Sequence, residues 1–248
     1  MTTATIQAED ICKSYGANDT RIDVLKCLSC QIQPGELTLC VGPSGSGKST
    51  LIAVLSGLLR PEAGRVTVLG RDLWSLTEGA RDRFRLGYCG FVFQGCNLFA
   101  GLSAVENVIV PLRFMGVGRA EARRRALAVL NELGLGTRAH LRPGALSGGE
   151  NQRAAIARAI VKEPQLIFAD EPTSALDNHN GQIVIDILRH YAHTRGATII
   201  AATHDPRLLS HADRIIHLED GLILKDYRRA QDDRLPPAVL KNQSHDPV

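Results

Sequence analysis

The residues from Gly42 to Thr50 put glycines at positions 42, 45 and 47 directly ahead of Lys48 and Ser49. Glycines let the backbone turn so that successive N–H groups face an anion, and a following helix adds its positive N-terminal end. With a predicted strand before it (Leu37–Val41) and a predicted helix after it, the pattern reads as a phosphate-binding loop, or P-loop. Its members are Gly42, Pro43, Ser44, Gly45, Ser46, Gly47, Lys48, Ser49 and Thr50. Lys48 is placed to reach the β and γ phosphates of a nucleotide, and Ser49 to give a hydroxyl to Mg²⁺. A second set of reactive groups stands at Leu166-Ile-Phe-Ala-Asp170-Glu171. Four apolar residues followed by two acids describe a buried strand ending at the carboxyl edge of a sheet, where open α/β sheets bind ligands. There Asp170 can hold Mg²⁺ and Glu171 can polarise an attacking water. A base of this kind marks hydrolysis more than transfer to a second substrate.

Those groups need a sheet to hold them. Residues 4–12, 21–33 and 37–42 read as strands, bounded by glycine, asparagine and proline turns. Lys48–Leu59 reads as a helix, with Leu51, Val54, Leu55 and Leu58 on one face. Short strands are predicted at 64–69 and 88–93 around a charged helix near 78–85. From about 96 to 162 the pattern is mostly helical, including Arg119–Gly134 and Glu150–Lys162. Strands and helices then alternate: strand 165–170, helix 180–194, and strands 197–202, 213–219 and 221–225. Alternation of this kind predicts an α/β fold with a parallel-rich sheet, interrupted by a helical subdomain. From 227 to 248 the chain is polar, with Pro236-Pro237 and no periodicity, and reads as a tail.

Composition limits the rest. The 248 residues are 44% hydrophobic and 22% charged with a formal charge of +3, an ordinary globular balance. Nucleic acid would call for a concentrated basic face, so no nucleic-acid partner is expected. The cluster Arg119, Arg123, Arg124 and Arg125 reads as a solvated helix face. Leu86 to Val105 is 20 residues without a charge, but Gly87, Gly90, Gly95, Gly101, Gln94 and Asn97 break it as a membrane span. The start, MTTATIQAED, lacks the basic and apolar regions of a signal peptide, so the chain is expected on the cytoplasmic side. The six cysteines are expected to act as small hydrophobes. Cys27-Leu-Ser-Cys30 spells CxxC, but it lies in a strand-like run with no second pair at zinc spacing.

Leu146-Ser147-Gly148-Gly149-Glu150, just before a helix and ahead of the Asp-Glu strand, completes a set that resembles the ATP-binding cassette (ABC) family. The resemblance covers about residues 4–226. It implies a P-loop NTPase cassette: a RecA-like core sheet, an antiparallel β subdomain and an inserted α-helical subdomain at about 96–162. In that family the signature, here Ser147, Gly148 and Gly149, binds the γ-phosphate of ATP held by the P-loop of a partner cassette. ATP and Mg²⁺ are the implied cofactors, and a second copy of the chain is an implied partner. Tyr15 matches the aromatic that stacks on adenine. Gln94 matches the glutamine that ligates Mg²⁺ and senses the γ-phosphate. Ser174-Ala-Leu-Asp177 matches the loop through which the two cassettes meet, so Ser174 and Asp177 are expected at the dimer contact. His204 matches the switch histidine that holds the γ-phosphate. The implied metal set is Ser49, Gln94 and Asp170, and the implied catalytic set is Glu171, His204, Lys48 and Gln94. Arg142 to Leu146 occupies a segment that lies near the permease in relatives. Asn151 departs from the usual glutamine or arginine and is expected to alter local contacts more than chemistry.

Within the family, Leu86 to Phe99 and Leu102 to Val108 resemble the macrolide-exporter and lipoprotein-releasing group. Asp170–Asp177 and the stretch from His204 to Gly221 resemble the heterocyst-envelope exporters. Both imply a cassette peripheral to the inner membrane that powers export by a separate integral-membrane permease, often with a periplasmic adaptor. The alternative is a cassette that drives a cell-division or signalling complex without moving cargo. Only 99 positions separate Lys48 from Ser147, which leaves no room for the long coiled coil of repair-type ABC ATPases.

Overall fold

The computed structural model describes residues 4–174 and 176–229. Two sheets carry the chain. The smaller is antiparallel, in the order β2-β1-β4-β5, from β1 (Ile6–Tyr15), β2 (Ile22–Ile32), β4 (Ala63–Val68) and β5 (Arg71–Asp72). The larger runs β10-β9-β3-β8-β7-β6. It contains β3 (Leu37–Val41), β6 (Cys89–Val92), β7 (Leu166–Asp170), β8 (Thr198–Thr203), β9 (Arg214–Glu219) and β10 (Leu222–Arg228). Every pairing in it is parallel except the β9–β10 hairpin at one edge.

The central strands are apolar on both faces because each face packs on a different layer. Side chains alternate along a strand. Leu37, Leu39 and Val41 of β3, Ile167 and Ala169 of β7, and Ile199 and Ala201 of β8 therefore join one core. The other faces, Cys40, Leu166, Phe168, Ile200 and Ala202, join a second core with Leu51, Val54 and Leu55 of α1 (Lys48–Leu55) and with Ile6 and Ile11 of β1. The first core is covered by α3 (Ala104–Phe114), α4 (Arg119–Glu132), α5 (Gly148–Ile160) and α6 (Asn178–Arg195). A further helix, α2 (Glu78–Tyr88), packs Phe84 into the second core. Phe168, 1% exposed, lies two residues before Asp170 and anchors the strand that presents it.

Local sequence sets the helix ends. Ser103 with Glu106, and Ser147 with Glu150, form reciprocal capping boxes at the starts of α3 and α5. Asp177 caps α6 through its carboxylate, and Gly196 at φ +68° ends it. The first helix stops at Leu55 rather than Leu59, because Gly57 turns the backbone to φ +73°. At the other end of the chain β10 continues to Arg228, past the predicted limit at 225 and into the segment read as tail. Arg214, 4% exposed, reaches across from β9 to Asp226 at 2.6 and 2.8 Å and holds this polar edge strand in place. Residues 230–248 of the tail lie outside the described residues.

The cysteines depart from expectation. Cys27 does not pair with Cys30; it faces Cys12 across β1 and β2, and the two form a disulfide with Cα atoms 4.3 Å apart. Cys30 is buried and free. Residues three apart on a strand point to opposite faces, so Cys30 lies in the core while Cys27 is exposed. Among the described residues no helix is long and apolar enough to cross a membrane, and no cluster of metal-ligating side chains of the histidine, cysteine and carboxylate type is present.

Candidate nucleotide site

The segment from Gly42 to Gly47 leaves the carboxyl end of β3 and enters α1. Gly42, Gly45 and Gly47 have φ of +151°, +80° and +102°. A Cβ at Gly42 would stand 1.9 Å from the carbonyl oxygen of Leu218, so this close approach needs glycine. The Lys48 ammonium donates to the carbonyls of Gly42 at 2.9 Å and Pro43 at 2.8 Å, so it curls back over the loop. Ser49 Oγ donates to Asp170 Oδ1 at 2.8 Å, joining the loop to the end of β7. Burial pushes the Asp170 carboxyl above its ordinary range, the Ser49 hydrogen bond opposes this, and the neighbouring Glu171 adds to it.

Glu171 sits one residue beyond β7 at φ +49°, an uncommon conformation for a non-glycine residue, held by its N–H donating to Ala202 O at 2.9 Å. Its Oε1 lies 2.9 Å from His204 Nδ1. Its Oε2 is buried without a protein partner. His204 thus contacts Glu171, in addition to lining the cleft. Directly behind, Thr173 Oγ1 donates to Asp205 Oδ2 at 2.9 Å, tying the segment after Glu171 to the segment after His204.

Tyr15, Ser44, Gly45, Gly47, Lys48, Ser49, Thr50, Gln94, Glu171 and His204 all line one cleft of about 410 Å³. Val24 lines it too, and sequence reasoning missed this residue because an apolar strand position carries no chemical mark. Tyr15, 46% exposed, stands at the rim with the Lys13 ammonium 5.6 Å from its ring centroid. Gln94 is exposed just after β6. The oxygens of Ser49, Asp170 and Gln94 are hard donors, a set that suits Mg²⁺ rather than a thiophilic metal.

Ser147, Gly148 and Gly149 do not line that cleft. Ser147 is exposed at the N-cap of α5, where its backbone N–H donates to Glu150 Oε2 at 2.8 Å and its Oγ accepts from the Glu150 N–H at 3.2 Å. The backbone N–H of Ser147 holds the Glu150 carboxyl below its usual range. Asn151 donates to the carbonyls of Pro143 at 3.0 Å and Leu146 at 3.3 Å, bracing the segment before the signature. Ser174 and Asp177 are both exposed, Ser174 with its hydroxyl on Glu171 O at 3.1 Å. The backbone N–H of Asn180 keeps the Asp177 carboxyl below its usual range. A link that sequence reasoning missed runs from the Gln94 loop to α5. Cys96 Sγ donates to Gln152 Oε1 at 2.8 Å, and Arg158 donates to the carbonyls of Cys96 and Asn97 at 2.7 and 2.5 Å.

Comparison with known proteins gives a consistent picture. A family model described as "ABC transporter" matches residues 25–174. The chain is similar to the macrolide export ATP-binding/permease protein MacB of Sodalis glossinidius, 42% identical over 239 residues, 96% of this chain and 36% of that protein. It is 45% identical to the MacB of Marinobacter nauticus over 221 residues, 89% of this chain and 34% of that protein. The chain therefore spans about a third of the length of these curated relatives. Among solved structures, a dimeric ATP-binding cassette in a post-hydrolysis state bound to ADP and Pi matches with TM-score 0.85 and 35% identity, over 90% of this chain and 98% of that one.

Proposed function

The chain belongs to the ABC transporter family, and from that membership we propose that it binds ATP with Mg²⁺ and hydrolyses it in a head-to-tail dimer that powers export through a membrane permease. The observation that carries the reading is the Glu171 carboxylate. One oxygen is held by His204 at 2.9 Å and the other is buried and unpartnered, in the same cleft as the P-loop. A carboxylate arranged this way has one oxygen left to orient a water toward a terminal phosphate.

Each remaining residue has a defined part. Tyr15 offers a face for adenine stacking. The backbone N–H groups from Ser44 to Thr50, with the positive end of α1, receive the β-phosphate, and Lys48 exchanges its two carbonyl partners for β and γ oxygens. Ser49, Asp170 and Gln94 would hold Mg²⁺, which supplies charge neutralisation on the β and γ phosphates when bound. His204 orients Glu171 and donates toward the γ-phosphate. Ser147, Gly148 and Gly149 of a second copy close the far side of the γ-phosphate, and Ser174 and Asp177 contact that copy.

The permease reading draws on a groove of about 480 Å³ lined by Leu102, Ile109, Val110 and Phe114 beside Glu106, Arg113, Arg119 and Arg123. Phe114 is 77% exposed there and Met115 beside it 43% exposed, more apolar surface than a solvated helix end needs. Arg124 and Arg125 turn away to Glu121 at 2.7 Å, whereas Arg119 and Arg123 stay on the groove. Export and a permease follow the names of the relatives, whereas a periplasmic adaptor and a place on the cytoplasmic face of the inner membrane follow only the resemblance of residues 86–108 and 170–221 to exporter cassettes.

Glu171→Gln tests the assignment. ATP turnover is expected to fall by about 10²- to 10⁴-fold, while nucleotide affinity is retained. Undiminished turnover would remove Glu171 from the mechanism.

A further inference from the structure

The disulfide between Cys12 and Cys27 closes a loop with a sequence separation of 15, and Tyr15 and Val24 of the cleft both lie inside that loop. The strand pairing there is irregular. Partners run Ala8 with Cys30, Ile11 with Leu28, Lys13 with Leu25, then Ser14 with Asp23, so an extra residue falls first on β1 and then twice on β2. Asp10 and Cys27 flank these slips at φ +50° and +54°. Non-glycine residues in that region persist only where their surroundings hold them, and each extra residue is left unpaired and locally disrupts the ladder. A covalent tie at this point fixes what the ladder does not.

The tie also leads to the P-loop. Lys26, next to Cys27, donates its N–H to Gly221 O at 2.9 Å, and Gly221 donates its N–H to Ser46 O at 3.2 Å. Val24 O lies 2.7 Å from where a Cβ on Gly47 would stand, so β2 packs directly on the loop's last turn. Cys27 is exposed and Cys12 partly so, which makes the bond reachable by small thiols.

We infer that Cys12 and Cys27 are a redox-responsive pair whose disulfide holds the adenine side of the cleft and the P-loop in register, and whose reduction weakens nucleotide binding. The inference rests on the nucleotide reading of the cleft. The chemistry is thiol–disulfide exchange with a small dithiol. The reagent's thiolate attacks the exposed Cys27 sulfur, the S–S bond breaks, and Cys12 leaves as thiolate and takes a proton. The reagent's second thiolate then attacks the mixed disulfide and releases Cys27 as a thiolate, which is protonated in turn. The protein disulfide gains two electrons and two protons, and the dithiol is oxidised to its cyclic disulfide. A small-molecule disulfide reverses the exchange. Cys30 takes no part, since burial pushes its thiol up to about 11.

The test uses the full chain. Thiol titration in denaturant is expected to count four of the six cysteines before dithiothreitol and all six after it. Titration with Mg-ADP is expected to show affinity at least about fivefold weaker in the reduced protein, the lower end of ordinary coupling between sites. Cys12→Ser and Cys27→Ser should each bind as the reduced protein does and ignore dithiothreitol. The comparison within the unsubstituted chain stands even if a variant misfolds. Six free thiols from the start, or equal affinity in the two states, would overturn the inference. Failure to bind Mg-ADP in either state would instead overturn the nucleotide reading.

Discussion

At the scale of single residues, the site works by placing charges where water has been partly removed. Asp170 is the clearest case, because burial raises its carboxyl against the pull of Ser49 and Lys48. In the proposed site Asp170 would hold Mg²⁺ as the carboxylate, so protons would compete with the metal, and a raised carboxyl would lose that competition at a higher pH than an ordinary aspartate. As pH falls from 7, Mg²⁺-dependent nucleotide affinity is therefore expected to decline with a midpoint above the ordinary aspartate value of about 4. Fluorescent-nucleotide titrations with and without Mg²⁺ across that range read it directly. A midpoint at or below 4 would mean that Asp170 is not the group in competition. Glu171 shows a second strategy. Its φ of +49° places backbone strain at the site, and the bond from its N–H to Ala202 O holds that strain in place.

At the scale of elements, the start of α5 carries the greatest constraint. Gly149 is buried, and a Cβ there would stand 2.3 Å from Asn180 Oδ1 near the start of α6. Glycine in a helix costs about 1 kcal/mol relative to alanine, so close packing rather than propensity keeps it. Asn180 is itself fixed, by Asp177 at 2.8 Å through both its backbone and side-chain nitrogens and by Arg153 at 2.9 Å. Gly149→Ala is expected to lower the melting temperature. Combined with Asn180→Ala, it should cost less than the sum of the two, a coupling of about 0.5–3 kcal/mol. Strict additivity in that cycle would show that the two residues do not press on each other. Elements of this kind were legible from sequence where pattern and punctuation agree. The β3–loop–α1 unit has an apolar strand, glycines and a 3.6-residue face, and β7 has four apolar residues ending in acids. The irregular pairing of β1 with β2 was not legible, because alternation reports faces and not slips in register. Nor was the length of β10, whose last residues, Tyr227 and Arg228, read as tail; they follow Asp226, which Arg214 holds. The Cys12–Cys27 bond went unread for the same reason: it depends on a register that no local signal encodes.

At the scale of the molecule, the chain divides its chemistry between two regions. The cleft gathers Tyr15, the P-loop, Gln94, Glu171 and His204, whereas Ser147, Gly148 and Gly149 lie outside it at the exposed start of α5. Within the chain this helix start is closed only by its own Ser147–Glu150 capping box. The matched solved cassette is dimeric. In a head-to-tail pair each chain's helix start would meet the other chain's nucleotide, so neither chain would have a complete site alone. Light scattering on Glu171→Gln with Mg-ATP tests this claim most directly. The account predicts twice the chain mass with ATP and the single-chain mass without it. Adding Ser147→Arg should return the ATP-loaded protein to the single-chain mass while it still binds nucleotide. A single-chain mass at saturating ATP, or a dimer indifferent to Ser147→Arg, would contradict the shared site.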